Sequence, residues 1–270
     1  MLYTSVSGTP TGATIIFLHG GGGAGWMWQP QVEALKSDYH LLVPDLPEQG
    51  RSADIKPYSI SGSVDCVAEL IRSQAHGGKA HVVGLSEGAQ IAVALLAAAP
   101  ELVEHAIISS ALVRKMAGMS WFGAGFWAAS YRSIQPLNKY EWWIRLNMRS
   151  NGIPERFLPE MRETYRSLTA TAFGNIIAEN QRFRLPTGLE RVTSPTLVVG
   201  GRNEYKIMQQ SIRDVAAAIP GARAYLVHHT QKMSLSEEHN WNLTAPELFT
   251  RTLQAWIEDQ PLPEELKPLK

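Results

Sequence analysis

The chemistry in this chain is concentrated at Gly84-Leu85-Ser86-Glu87-Gly88. A short β-branched run, His81–Val83, leads in. An Ala/Leu/Ile/Val segment follows and ends at Ala99-Pro100. Strand, sharp turn and buried helix in that order form a nucleophile elbow, which holds its serine in strained backbone with the hydroxyl pushed out. Gly84 and Gly88 are demanded because strand and helix pass so close that a Cβ would clash. A helix starting near Glu87 aims its free N–H groups and positive dipole end at the same point. Such a serine suits attack on a carbonyl carbon, with the resulting oxyanion held by N–H groups.

Positioning this turn takes a sizeable core, and 270 residues supply one large domain or one domain with an insertion. Lys+Arg and Asp+Glu are both 25, so formal charge is zero. With no basic run, nucleic acid is not an expected partner. The longest apolar run, after Ser86, is only about a dozen residues, too short to span a bilayer. Met1-Leu2-Tyr3-Thr4 does not begin a charged-then-apolar leader. One cysteine, Cys66, allows no intrachain disulfide, and a cytoplasmic setting is expected. No Cys/His cluster has metal spacing, so neither metal nor cofactor is expected.

The flanking elements alternate. Leu2–Val6 reads as an edge strand, and Ala13–Leu18 as a strand buried on both faces. Its end, His19-Gly20-Gly21-Gly22-Gly23-Ala24-Gly25, lets backbone approach a ligand closely. No Gly-Lys-Ser/Thr follows, which argues against a phosphate loop. Trp26–Lys36 reads as a helix and Tyr39–Val43 as a strand closing in Pro44–Ser52. There Asp45 is read as holding its loop through backbone N–H groups. Helix 61–74 buries Val64, Val67, Ala68 and Ile71, with Cys66 a packing residue. Strand Glu104–Ser110 follows the elbow helix. This order implies a mostly parallel sheet with helices on both faces.

Three motifs together resemble the α/β-hydrolase superfamily: His19-Gly20-Gly21-Gly22, Asp45-Leu46-Pro47-x-x-Gly50-Arg51-Ser52, and Gly84-Leu85-Ser86-Glu87-Gly88. The chain departs from the family at Glu48-Gln49, where Gly and a variable residue are usual. The resemblance implies an oxyanion hole from the N–H groups of Gly21 and Glu87, with Gly22 the neighbour if the loop is shifted by one. It implies that His19 organises its loop, because the base comes late in the chain. It also places a triad acid just after strand Thr196–Val199. Counting from Gly200 selects Asn203, and counting from Gly201 selects Glu204. Only Glu204 carries the charge that stabilises an imidazolium. The base lies before the C-terminal helix. His239, in His-Asn-Trp-Asn-Leu-Thr-Ala-Pro-Glu-Leu, fits, with His228 and His229 as alternatives. Pro246 suits the first turn of that helix, whose buried stripe is Leu248, Phe249, Leu253 and Trp256.

Residues 111–190 break the alternation. The resemblance makes them a helical cap on a core formed by 1–110 and 191–270. They hold Trp121, Trp127, Trp142 and Trp143, and Met116, Met119, Met148 and Met161, half of each type. These residues either line an apolar acyl pocket or pack the cap onto the core. The tail 260–270 is expected to pack loosely. The expected activity is hydrolysis of a small carboxylic ester or lactone through Ser86, Glu204 and His239, without a cofactor. The partner is then a small ester-like molecule, not nucleic acid or membrane, and a homodimer is compatible. Carbon–carbon cleavage or lyase chemistry on the same scaffold, and a ligand receptor with little turnover, stay open.

Overall fold

The computed structural model describes residues 1–116, 118 and 121–269. Met119 lies outside them. Eight strands form one sheet: β1 (Thr4–Gly8), β2 (Thr14–Leu18), β3 (His40–Pro44), β4 (Ala80–Leu85), β5 (Val103–Ser109), β6 (Thr196–Gly201), β7 (Arg223–Val227) and β8 (Leu266–Pro268). Their spatial order is β1-β3-β2-β4-β5-β6-β7-β8. The two outermost pairs, β1–β3 and β7–β8, are antiparallel, and the five pairs between them are parallel.

The core helices are α1 (Gln29–Leu35), α2 (Ile60–Gln74) and α3 (Glu87–Ala98) in the first half. Between β5 and β6 come α4 (Ala124–Ile134), α5 (Glu141–Ser150), α6 (Leu158–Ser167) and α7 (Ala170–Arg182). After β6 come α8 (Lys206–Ala218), α9 (Leu235–His239), α10 (Trp241–Thr244) and α11 (Pro246–Ile257). Among the described residues no helix is long and apolar enough to cross a membrane.

Strands β2, β3, β4 and β6 are buried along their whole length because both faces are covered. Side chains alternate: Ile15, Phe17, Leu41, Val43, Val83 and Leu85 face the core shared with α1 and α11. Ile16, Leu18, Leu42, Ala80 and Val82 face the core shared with α2, α3 and α8. Val64, Val67, Ala68 and Ile71 are buried, as the periodicity of α2 predicts. So are Leu248, Phe249, Leu253 and Trp256 on α11, with Pro246 in its first turn.

The strand order turns between β2 and β4. The chain leaves β2 towards β3, then crosses back to β4, so the loops after β2 and β4 part and open a crevice. In a parallel sheet ligands bind at such a switch point, at the carboxyl ends of the strands. Both the glycine-rich loop and the Ser86 turn lie there.

The tail does not pack loosely. Leu266–Pro268 adds to the edge of β7, with Leu266 buried. His228 N–H donates to Glu265 O at 2.8 Å and Leu269 N–H to Ala224 O at 2.8 Å. The free edge of β7 offers unpaired N–H and C=O groups, and a three-residue strand satisfies them while itself staying too short to template aggregation. Proline richness hid this pairing in the sequence.

Candidate active site

Ser86 sits between β4 and α3 at φ 55° and ψ −110°. This is sparsely populated backbone for a residue with a side chain, held only where the surroundings over-determine it. They do so here. Ser86 N–H donates to Ser109 O at 2.8 Å. A Cβ on Gly84 would lie 2.4 Å from Gly88 O, and one on Gly88 2.1 Å from Leu18 O. Glycine at both positions lets β4, α3 and β2 converge behind the serine.

The acid and base positions come from opposite ends of the last third. Glu204 follows β6 and is buried, and His239 ends α9. Ser234 and Glu237 cap α9 reciprocally, which fixes the helix and with it the histidine. His239 Nδ1 lies 3.1 Å from Glu204 Oε1, leaving Nε2 for a proton in the cavity. Ser110, at φ 55°, donates its hydroxyl to the same Oε1 at 2.6 Å.

The two residues reached by counting from the glycines after β6 differ in their contacts. Asn203 does not meet the histidine; its backbone N–H donates to Glu238 Oε2 at 2.5 Å and its side-chain amide to Glu238 Oε1 at 2.5 Å. Glu238, buried and adjacent to His239, thus clasps the loop after β6 to α9. Neither His228 nor His229 lines the cavity that holds Ser86 and His239.

On the other side of Ser86, Gly22 N–H donates to Gln49 Oε1 at 2.7 Å, so it is engaged. Neither the Gly21 nor the Glu87 N–H is taken by another described residue. Gln49 Nε2 in turn donates to Glu87 Oε1 at 2.8 Å. A Cβ on Gly21 would lie 2.4 Å from Glu87 Oε2. The Glu87 side chain is therefore a floor under the glycine loop. The departure from the family pattern at Glu48-Gln49 falls on this support, since Glu48 Oε2 accepts from Tyr58 N–H (3.1 Å) and the Asn175 amide (2.8 Å). His19 Nε2 accepts from Leu46 N–H at 3.0 Å while Nδ1–H donates to Gly20 O at 2.8 Å. Burial lowers its pKa, against the nearby Asp45 carboxylate and the Gly20 carbonyl, and this suits the neutral ring those two bonds require. Asp45 accepts from Gly25 N–H (2.7 Å) and Arg51 N–H (2.8 Å), the loop-holding role read from the sequence.

Burial pushes the Glu87 carboxyl up to about 7, with the Tyr58 hydroxyl and the Gln49 amide opposing it. An acid whose pKa rises on folding keeps its proton in the folded chain after the unfolded chain has lost it. Stability contributed by the neutral form is then lost as pH climbs from 4.5 to about 7. The full loss amounts to about 3 kcal/mol at 1.36 kcal/mol per unit. Glu87→Gln, which mimics the neutral acid, is expected to gain melting temperature over the wild type as pH rises through that window and to hold the gain above it. Parallel melting curves from pH 5 to 8 test this. A constant difference at every pH would show that Glu87 titrates normally.

The cavity in front of Ser86 has a volume of about 400 Å³. Gly20–Gly23, Trp26, Met27, Ser86, His239 and Asn240 line its core side. Its other walls come from the inserted helices and include Tyr131, Met161, Tyr165, Leu168, Phe173 and Ile176. Of the eight tryptophans and methionines singled out at 111–190, Met161 alone lines it among the described residues. Trp121 and Trp142 are exposed, and Trp143 donates to Asn138 Oδ1 at 3.2 Å. The insertion is tied down by amide pairs, such as Gln90 Nε2 to Asn180 O (3.0 Å) and Asn180 Nδ2 to Gln90 Oε1 (3.1 Å). A groove of about 540 Å³ beside β1 and α6 contains neither Ser86 nor His239. No three described His, Cys, Asp or Glu residues cluster so as to hold a metal.

Three supporting residues escaped the sequence reading: Ser110, Gln49 and Glu238. The unusual Glu48-Gln49 pair was the one available signal.

Comparison with known proteins agrees with this architecture. Residues 15–252 match the alpha/beta hydrolase family. An AB hydrolase superfamily protein of Gibberella zeae is 29% identical over 267 residues, covering 96% of this chain and 84% of its own length. The solved esterase of Exiguobacterium antarcticum superposes with a TM-score of 0.74 at 18% identity, covering 95% of each chain. The enol-lactonase of Burkholderia xenovorans LB400 superposes with a TM-score of 0.72 at 20% identity, covering 95% of this chain and 96% of its own. With the family match running from β2 through β7, the elbow and the His239 region, the chain belongs to the alpha/beta hydrolase family.

Proposed function

We propose that this protein is a serine hydrolase of small carboxylic esters or lactones. The observation that carries the reading is that a strained Ser86 and His239 line one cavity, with His239 Nδ1 at 3.1 Å from buried Glu204. His239 Nε2 takes the Ser86 proton as Oγ attacks the acyl carbon. Glu204 holds the ring through Nδ1–H and stabilises its positive charge, while Ser110 shares the load on Oε1. The Gly21 and Glu87 N–H groups receive the oxyanion. His239 returns the proton to the leaving alcohol, then activates the water that frees the acid from Ser86. In a lactone the leaving alcohol stays attached to the acyl group, so one product forms. The names of the two solved neighbours, an esterase and an enol-lactonase, fall in the same class of chemistry.

The test is covalent capture. A fluorophosphonate probe is expected to add once per chain, and peptide mass spectrometry is expected to find the adduct on Ser86. A folded wild-type chain that stays unlabelled, and that cleaves no p-nitrophenyl ester of two to eight acyl carbons, would return the protein to the receptor reading.

A further inference from the structure

The charge of the substrate is written in the walls of the cavity. Among the described residues no lysine or arginine lines it. Buried acids stand around it: Glu204 beside His239, Glu238 on the clasp to Asn203, Glu48 next to the Gln49 that supports the glycine loop, and Glu87, which joins them as an anion above about pH 7. A carboxylate brought in would lose its water, find no cation, and face a field of its own sign. Phe173, Ile176 and Leu168 offer it only apolar surface. Burial also raises the pKa of Tyr131 and Tyr165, whose phenols share these walls, the mark of a surrounding that disfavours anions.

The polar edge is neutral. Asn147, Asn151 and Asn240 line it, and each amide is oriented by a backbone carbonyl. Asn147 Nδ2 donates to Trp143 O (2.8 Å), Asn151 Nδ2 to Asn147 O (2.9 Å) and Asn240 Nδ2 to Asn151 O (2.7 Å). Carbonyl groups only accept, so the nitrogen positions are fixed by chemistry, and each Oδ1 keeps its capacity to accept.

Resting on the serine-hydrolase reading above, we infer that the substrate is an acyl compound without negative charge, its apolar part against Phe173, Ile176 and Leu168 and a hydrogen-bonding group at the Asn147–Asn151–Asn240 edge, and that acyl chains ending in a carboxylate are rejected.

Three esters of one chain length test this at pH 8: p-nitrophenyl hexanoate, the p-nitrophenyl monoester of adipic acid, and the same monoester with its free acid converted to the primary amide. The amide is expected to match hexanoate within about tenfold in kcat/KM, and the acid to fall at least about 100-fold below both. An acid within tenfold of hexanoate, or an amide as poor as the acid, overturns the inference. Ile134 lines the cavity at 40% exposure, so a cation there stays hydrated. Ile134→Arg is expected to raise the acid-to-hexanoate ratio at least tenfold; an unchanged ratio counts against the charge argument. If no ester is cleaved, the hydrolase reading fails, and the cavity preference is still measured by thermal shift. Hexanamide is expected to raise the melting temperature and hexanoate ion to leave it unmoved. Equal shifts overturn the inference independently of any chemistry.

Discussion

Turnover of p-nitrophenyl hexanoate is expected to fall about 10⁶-fold in Ser86→Ala and about 10⁴-fold in Glu204→Gln, with KM nearly unchanged in both. The first loss removes the attacking oxygen. The second leaves shape intact, since glutamine is the size of Glu204 and its carbonyl still accepts one hydrogen bond. Two donors converge on Glu204 Oε1, the Ser110 hydroxyl at 2.6 Å and His239 Nδ1 at 3.1 Å. A neutral amide cannot balance the imidazolium formed during attack, and that charge develops beside a side chain only 2% exposed, where water offers little help. Asn203→Ala separates the two ways of aligning the acid. It deletes one of the two hydrogen bonds to Glu238 and touches no charge on His239, so its loss is expected to stay below about tenfold. Steady-state kinetics on the three variants, with melting curves to confirm folding, decide the matter. A Glu204→Gln enzyme within tenfold of wild type would remove Glu204 from the mechanism.

What the sequence discloses here follows the range over which each signal acts. Strands buried on both faces are short apolar runs, so β2 to β4 and their order are legible. The elbow is legible because strand, glycine spacing and helix are contiguous. Asp45 is legible because a carboxylate at a strand end needs only its own loop. The Glu238–Asn203 clasp spans 35 residues, and Ser110 reaches Glu204 across 94. No local pattern carries such pairs, since the register of the whole sheet decides which loop ends meet. The enrichment of tryptophan at 111–190 is real as composition but silent on direction. The cavity took Tyr131, Tyr165 and Phe173 from these helices instead. Which face of an inserted helix looks inward is set by the angle at which it docks, and that is absent from its own periodicity.

Gly88→Ala is expected to cost about 3 kcal/mol or more of stability, lowering the melting temperature by about 6 °C or more, and to reduce kcat about 100-fold in the fraction that folds. The added methyl would sit 2.1 Å from Leu18 O, 2.4 Å from Leu18 C and 2.7 Å from His19 O. All three are backbone atoms, and Leu18 ends a central strand, so no side chain can swing aside. Either α3 backs away from β2 or the strand end shifts by about 1 Å. Both movements reach the chemistry. Gly88 N–H donates to His19 O at 3.1 Å, and His19 leads through Gly20 into Gly21, while α3 carries the Glu87 N–H. The spacing of the two N–H groups proposed to receive the oxyanion therefore depends on this contact. Gly125→Ala is the matched control. It lies in α4 with nothing within 4 Å of the new methyl, and there alanine is expected to stabilise by about 0.5–1 kcal/mol without changing turnover. Equal melting temperatures and rates for the two variants would show that the approach of α3 to β2 is looser than described and that the elbow is held in place by other contacts.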